Sequence, residues 1–149
     1  MGICEDRLML AELLNIVLPV SQQKSEKTMS KIYVMQLFKS VDNLQLTDTN
    51  YKLVDVDKLK TFLARNSTSS RQYVSDSNDC DDFALILLGD VTRWDSSLAF
   101  GIAFVVKEDG DYHALNVLIS TQKKVYLVEP QSDEVFEVPE EWDIRFVLM

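Results

Sequence analysis

The chain has 149 residues, 46% of them apolar, and a formal net charge of −9. That length suits one domain with its own core and no need for metal or disulfide staples. The charge excludes a nucleic-acid backbone or an anionic membrane surface as the main partner, because Lys and Arg are scattered and form no basic patch.

At the start, glycine stands second but Asp6 occupies the place where a myristoylation signal needs Ser or Thr. The apolar stretch Leu8 to Val20 follows Glu5 and Asp6 and is interrupted by Glu12 and Asn15, so it fits neither a signal peptide nor a spanning helix. The expectation is a soluble cytoplasmic protein, in the host cytoplasm if phage-encoded. Leu10, Leu13, Leu14 and Val17 predict an amphipathic helix over Glu5–Leu18, ended by Pro19. Ser21 to Thr28 is polar and reads as a loop. Val34, Leu37, Phe38 and Val41 predict a helix within Ile32–Leu46, and Asp57 can cap a short helix reaching Ala64 with Leu59, Phe62 and Leu63 as its apolar stripe. Asn66 to Asp79 is a long Ser, Asn and Asp-rich loop of the kind that carries function.

A fourth helix signal opens at Cys80. With Asn78 or Asp79 as N-cap, Cys80, Phe83, Ala84, Leu87 and Leu88 share one face, and Gly89 marks the expected end. An antiparallel meander then follows: Leu98–Val106, Tyr112–Ile119, Lys123–Glu129, Glu134–Val138 and Ile144–Leu148, with turns at Glu108-Asp109-Gly110, Ser120–Gln122 and Ser132-Asp133. The whole reads as a single domain over 1–149, mainly helical in 1–72, with the Cys80 helix and sheet in 73–149. Trp94 and Trp142 read as core or edge packing. Cys4 and Cys80 read as free thiols, with a bridge between them left open.

A three-residue loop after Ile119 would set Ile119 opposite Lys123 and His113 opposite Glu129. Alternation then puts His113, Leu115, Val117 and Ile119 on one face with Val125, Leu127 and Glu129, a face for the Cys80 helix to cover. Asn116 points the other way, which suits a structural role. In this arrangement the helix N-terminus and an imidazolium both favour the Cys80 thiolate, His113 shuttles a proton, and Glu129 orients the ring. Gln131 is a candidate donor to an oxyanion.

Asp79-Cys80-Asp81-Asp82-Phe83-Ala84, His113-Ala114-Leu115-Asn116 and Val128-Glu129-Pro130-Gln131 resemble the papain-like protease half of the Marasmius oreades agglutinin family and its small phage and bacterial relatives. The resemblance spans roughly Tyr73 to Met149 and implies an α+β papain-like fold and a Cys80–His113–Glu129 triad. It further implies a cysteine peptidase or isopeptidase acting on a peptide or protein substrate, with a calcium requirement. It implies no sugar-binding half, since no lectin repeats are present. The acidic cluster Asp76, Asp79, Asp81 and Asp82 opposes a thiolate. It reads either as helix capping or as a hard-cation site with Asp81 and Asp82 as ligands. Two alternatives stand beside the peptidase: an acyl transferase of transglutaminase type, and a catalytically silent binding module with the same fold. A homodimer is left open.

Overall fold

A computed structural model of the protein describes residues 27–149, so the helix expected over Glu5–Leu18, and Cys4, lie outside the described residues. The elements in chain order are β1 (Thr28–Ser30), α1 (Lys31–Leu37), β2 (Asn43–Gln45), β3 (Asn50–Lys52), α2 (Val56–Leu63), a 3-10 turn (Thr68–Ser70), α3 (Cys80–Trp94), β4 (Phe100–Val106), β5 (Tyr112–Ile119), β6 (Val125–Glu129), β7 (Glu134–Glu137) and β8 (Asp143–Leu148).

The helix expected over Ile32–Leu46 stops after Leu37. Beyond it the chain straightens, and Asn43–Gln45 pairs in parallel with Phe146–Leu148, which lets Leu44 of the strand and Leu46 just after it pack against the core. The cap of α2 is Asp55 rather than Asp57: its carboxylate accepts from the Asp57 and Lys58 amides at 3.1 and 3.2 Å. Helix α3 runs through Gly89 to Trp94. Its buried stripe, Phe83, Ala84, Leu87 and Val91, continues past the glycine. Burial of a side chain such as Leu87 contributes about 2 kcal/mol, more than the roughly 1 kcal/mol that a mid-helix glycine costs.

Six strands form one sheet in the order β2-β8-β4-β5-β6-β7, with β1 and β3 pairing separately. The meander is therefore confined to β4–β7, and β8 crosses back to lie beside β4. Alternation along the strands divides the core in two. On one face, Phe100, Leu118 and Val128 pack with Leu59 and Leu63 of α2 and Leu87 and Val91 of α3. On the other, Val105, Leu115, Val117, Ile119, Leu127 and Val147 pack with Val34 and Phe38 and with Tyr51 of β3.

This division corrects one expectation directly. The Cys80 helix covers the Asn116 and Leu118 face, not the His113 and Leu115 face. The cause is visible at Asn116, whose fully buried amide donates to the carbonyls of Ala84 in α3 (2.9 Å) and Gly101 in β4 (3.1 Å). The closeness of β4 to β8 is fixed at Gly101, where any Cβ would lie 2.2 Å from the carbonyl oxygen of Leu148. Among the described residues, no helix is long and apolar enough to cross a membrane.

Candidate functional site

The long polar loop before α3 is built, not slack. Val74 and Asn78 form an antiparallel bridge around a tight turn in which Asp76 adopts a positive φ of 69°. The Asp76 amide donates to the Asp79 carboxylate at 3.0 Å. Asp82 accepts from the Asp79 amide at 3.2 Å, closing a capping box that satisfies donors the helix would leave orphaned. Cys80 is thereby held half-buried in the first turn as a free thiol. Asp79 and Asp81 share a hydrogen bond. It holds Asp79 below the ordinary carboxylate value and, together with burial, raises Asp81 above it.

The His113 side of the site rests on the β5–β6 hairpin. Its turn is three residues long, as expected, but it is displaced by one position. Ser120 pairs with Lys124, Lys123 takes a φ of 63°, and Ile119 lies opposite Val125 rather than Lys123. A displacement of one residue at the turn moves every partner by two, which preserves the faces but changes who is opposite whom. His113 and Glu129 become diagonal neighbours on one face. Their side chains still meet, with Nε2 and Oε2 2.6 Å apart and side-chain exposures of 13% and 21%. Diagonal pairs lie within reach of long side chains. The other Glu129 oxygen accepts from the Gln131 backbone amide at 3.2 Å, so the carboxylate is fixed at both oxygens.

Two observations bring these groups to one end of the molecule. Val91 and Leu87 pack with Leu118, while Ala84 is tied to Asn116, so the N-terminus of α3 heads toward the His113 end of β5. The second is a tether: Ser69, in the loop that leads to Cys80, donates through Oγ to Asp133 Oδ2 at 2.7 Å. Asp133 stands at φ 63° in the turn that follows Glu129, with its own amide bonded to the Glu129 carbonyl at 2.9 Å. Sequence reading took Asp133 only as a turn residue. Its place in the β6–β7 turn was legible, but the long-range partner was not.

The predicted site residues therefore fall as follows. Cys80, His113 and Glu129 are brought to the same end of the fold, with the His113–Glu129 contact made directly. Among the described residues no hydrogen bond joins the Cys80 thiol to the imidazole. Gln131 donates its backbone amide to the Glu129 carboxylate at 3.2 Å. Asp82 belongs to the helix cap. The group whose ligand atoms lie within 4.8 Å of one another is Asp79, Cys80 and Asp81. That set offers calcium only two carboxylates beside a soft thiol, against the six to eight oxygens such an ion takes, so it fits no more than a weak site completed by water.

The sequence matches the model of the family described as the ricin-type beta-trefoil lectin C-terminal domain over residues 11–149. The chain belongs to that family. No curated protein matches it. Among solved structures it is similar to one titled "PSL1a-E64 complex" (TM-score 0.73, 22% identity, 82% of this chain and 51% of that one). It is also similar to a Polyporus squamosus lectin bound to the human-type influenza-binding epitope Neu5Acα2-6Galβ1-4GlcNAc (TM-score 0.70, 22% identity, 82% of this chain and 49% of that one). The chain thus spans about half the length of the structures it matches.

These findings correct the identification as a papain-like cysteine peptidase domain. The matched family is described as a C-terminal domain of ricin-type lectins, and one of the two neighbours is titled a lectin. The expected α+β papain-like fold class is corrected with it. Its central feature was a Cys80 helix lying over the His113 face, and α3 lies over the opposite one in a domain dominated by its six-stranded sheet. Peptidase, isopeptidase and acyl-transfer activity on a peptide substrate lose their support in the same step. The binding-module alternative is the one these findings favour.

Proposed function

We propose that the domain is a ligand-binding module of a ricin-type lectin, with Cys80, His113, Glu129 and the Gln131 backbone lining its ligand site. The observation that carries this reading is the doubly fixed Glu129 carboxylate, 2.6 Å from His113 and 3.2 Å from the Gln131 amide. A pre-aligned array of that kind binds small polar ligands because its ordering cost is met by the fold before the ligand arrives. The titles of the two structural neighbours support a small ligand: one names E64 and the other a sialylated trisaccharide.

Titration calorimetry with E64 and with the trisaccharide tests the proposal. At least one should bind, and His113→Ala and Glu129→Gln should each weaken that binding about tenfold, or about 1.4 kcal/mol, while circular dichroism stays unchanged. Affinity unaffected by both substitutions would overturn the reading. So would failure of both ligands to bind, or Cys80-dependent cleavage of a peptide library by the unmodified protein.

A further inference from the structure

A second site lies far along α3 from Cys80, where its last residue meets α2. Phe62 and Trp94 stack with ring centroids 4.7 Å apart and planes 12° from parallel. The stack lines an open cleft of about 410 Å³ together with Lys58, Thr61, Arg65 and Asn66. Lys58, Thr61, Phe62 and Arg65 stand at i, i+3, i+4 and i+7 of α2 and its C-terminal turn, so they form one stripe on the helix surface. Trp94 is 44% exposed, which is a large apolar ring left to water at the mouth of a cleft.

The polar groups of the cleft divide into used and unused. Thr61 donates its hydroxyl to the Asp57 carbonyl at 3.0 Å. The Asn66 amide donates to Asp90 at 2.9 Å, its oxygen accepts from the Thr68 amide at 2.9 Å, and Asp90 is itself paired with Arg93 at 2.7 Å. Lys58 Nζ and the Arg65 guanidinium have no side-chain partner among the described residues. What remains on offer is an aromatic edge and face for an apolar ring surface, flanked by two donors that take only acceptors. Arg65 is suited to a planar carboxylate.

We infer that this cleft binds a carboxylate-bearing sugar, a sialic or uronic acid, with its C–H face against Trp94 and its carboxylate on Arg65 and Lys58. The site is separate from the one at Cys80. A flat aromatic acid shares the ring-plus-carboxylate chemistry, and a neutral sugar shares only the ring.

The test is titration of the full chain with N-acetylneuraminic acid, glucuronic acid, galactose and benzoate, read by the indole N–H resonance of Trp94 in a nitrogen–proton correlation spectrum. At least one acidic sugar should shift that resonance with a dissociation constant on the order of millimolar, and galactose should not. Arg65→Glu and Lys58→Glu, both on exposed positions, should each weaken binding about tenfold. His113→Ala should leave it unchanged, which separates this site from the other. Trp94→Phe, followed through the backbone amide resonances of Phe62 and Arg65, should retain part of the affinity. The inference fails if no acidic sugar shifts the resonance. It fails equally if galactose or benzoate binds as well as the acids do, or if both charge reversals leave affinity intact.

Discussion

Asn116 is the side chain on which the placement of α3 turns, and substitutions there separate its hydrogen bonds from its volume. It is fully buried, its amide nitrogen donates to two carbonyls on different elements, and its oxygen has no partner. Asn116→Ala removes two bonds worth roughly 1 kcal/mol each and opens a small cavity. It also relieves the oxygen's desolvation, so a net loss of about 1–3 kcal/mol is expected. Asn116→Leu fills the space and carries no unpaired polar atom of its own, so it should cost less than the alanine variant. Asn116→Asp sets an ionised, acceptor-only group against two carbonyl oxygens in a dry site, which should cost upwards of about 3 kcal/mol at neutral pH. Burial and the facing carbonyls raise the folded-state value of that new carboxyl, so the defect is full above it and shrinks as pH falls through it. Urea unfolding at neutral and mildly acidic pH gives the comparison. Stabilities in the order Leu, Ala, Asp, with the aspartate variant recovering in acid, support the account. An aspartate variant as stable as the parent at neutral pH would show that α3 is not held by this staple.

Asp95 is kept below the usual carboxylate range by the Ser97 hydroxyl at 2.6 Å and then by Lys52 at 2.9 Å. Its stabilising contribution is present above the unfolded-state value and is lost as pH falls through the lower folded-state value. Asp95→Asn should therefore flatten the acid limb of a plot of urea midpoint against pH, and an unchanged limb would remove Asp95 from the acid response. Ser69→Ala cuts the tether to Asp133 and should cost about 1 kcal/mol while speeding alkylation of Cys80 by iodoacetamide. Asp133→Asn keeps both the donor partner and the tolerance for positive φ, so it should do neither, and equal alkylation in all three proteins would deny the tether a role at the site. Calcium is proposed to bind weakly between Asp79 and Asp81. About 1–10 mM calcium should then raise the melting temperature by a few degrees through mass action, an effect that Asp81→Asn abolishes, whereas no rise in the parent protein leaves the pair without a cation.

What the sequence made legible follows the range of the interaction that decides each feature. The start of α3 was readable because its cap is local: Asp79 and Asp82 sit three residues apart and satisfy each other's backbone. The strand β5 was readable because a short apolar run bounded by turn residues is a local signal. The path of β8 was not, since its pairing with β4 and β2 is set by core burial of Val147 and by the glycine at 101, neither of which leaves a trace near residue 148. The same holds for α1, where helical spacing predicted a longer element than the strand pairing of Asn43–Gln45 permits.

The His113–Glu129 pair shows how an incorrect register can still bring two residues together. Slipping a hairpin turn by one residue shifts partners by two, and a period of two returns each side chain to its own face. The face was therefore secure against the error that moved the partner, and long side chains closed the remaining diagonal at 2.6 Å. Which helix covers that face had no such protection. It depends on whether Phe100, Leu118 and Val128 or Val105, Leu115 and Leu127 present the better surface to α3, and both sets are apolar. Asn116 decides between them. It is the one polar side chain in the middle of β5, and burying its amide requires two carbonyl acceptors that only α3 and β4 together supply. A polar residue within an otherwise apolar strand thus carried more information about the packing than the apolar residues around it.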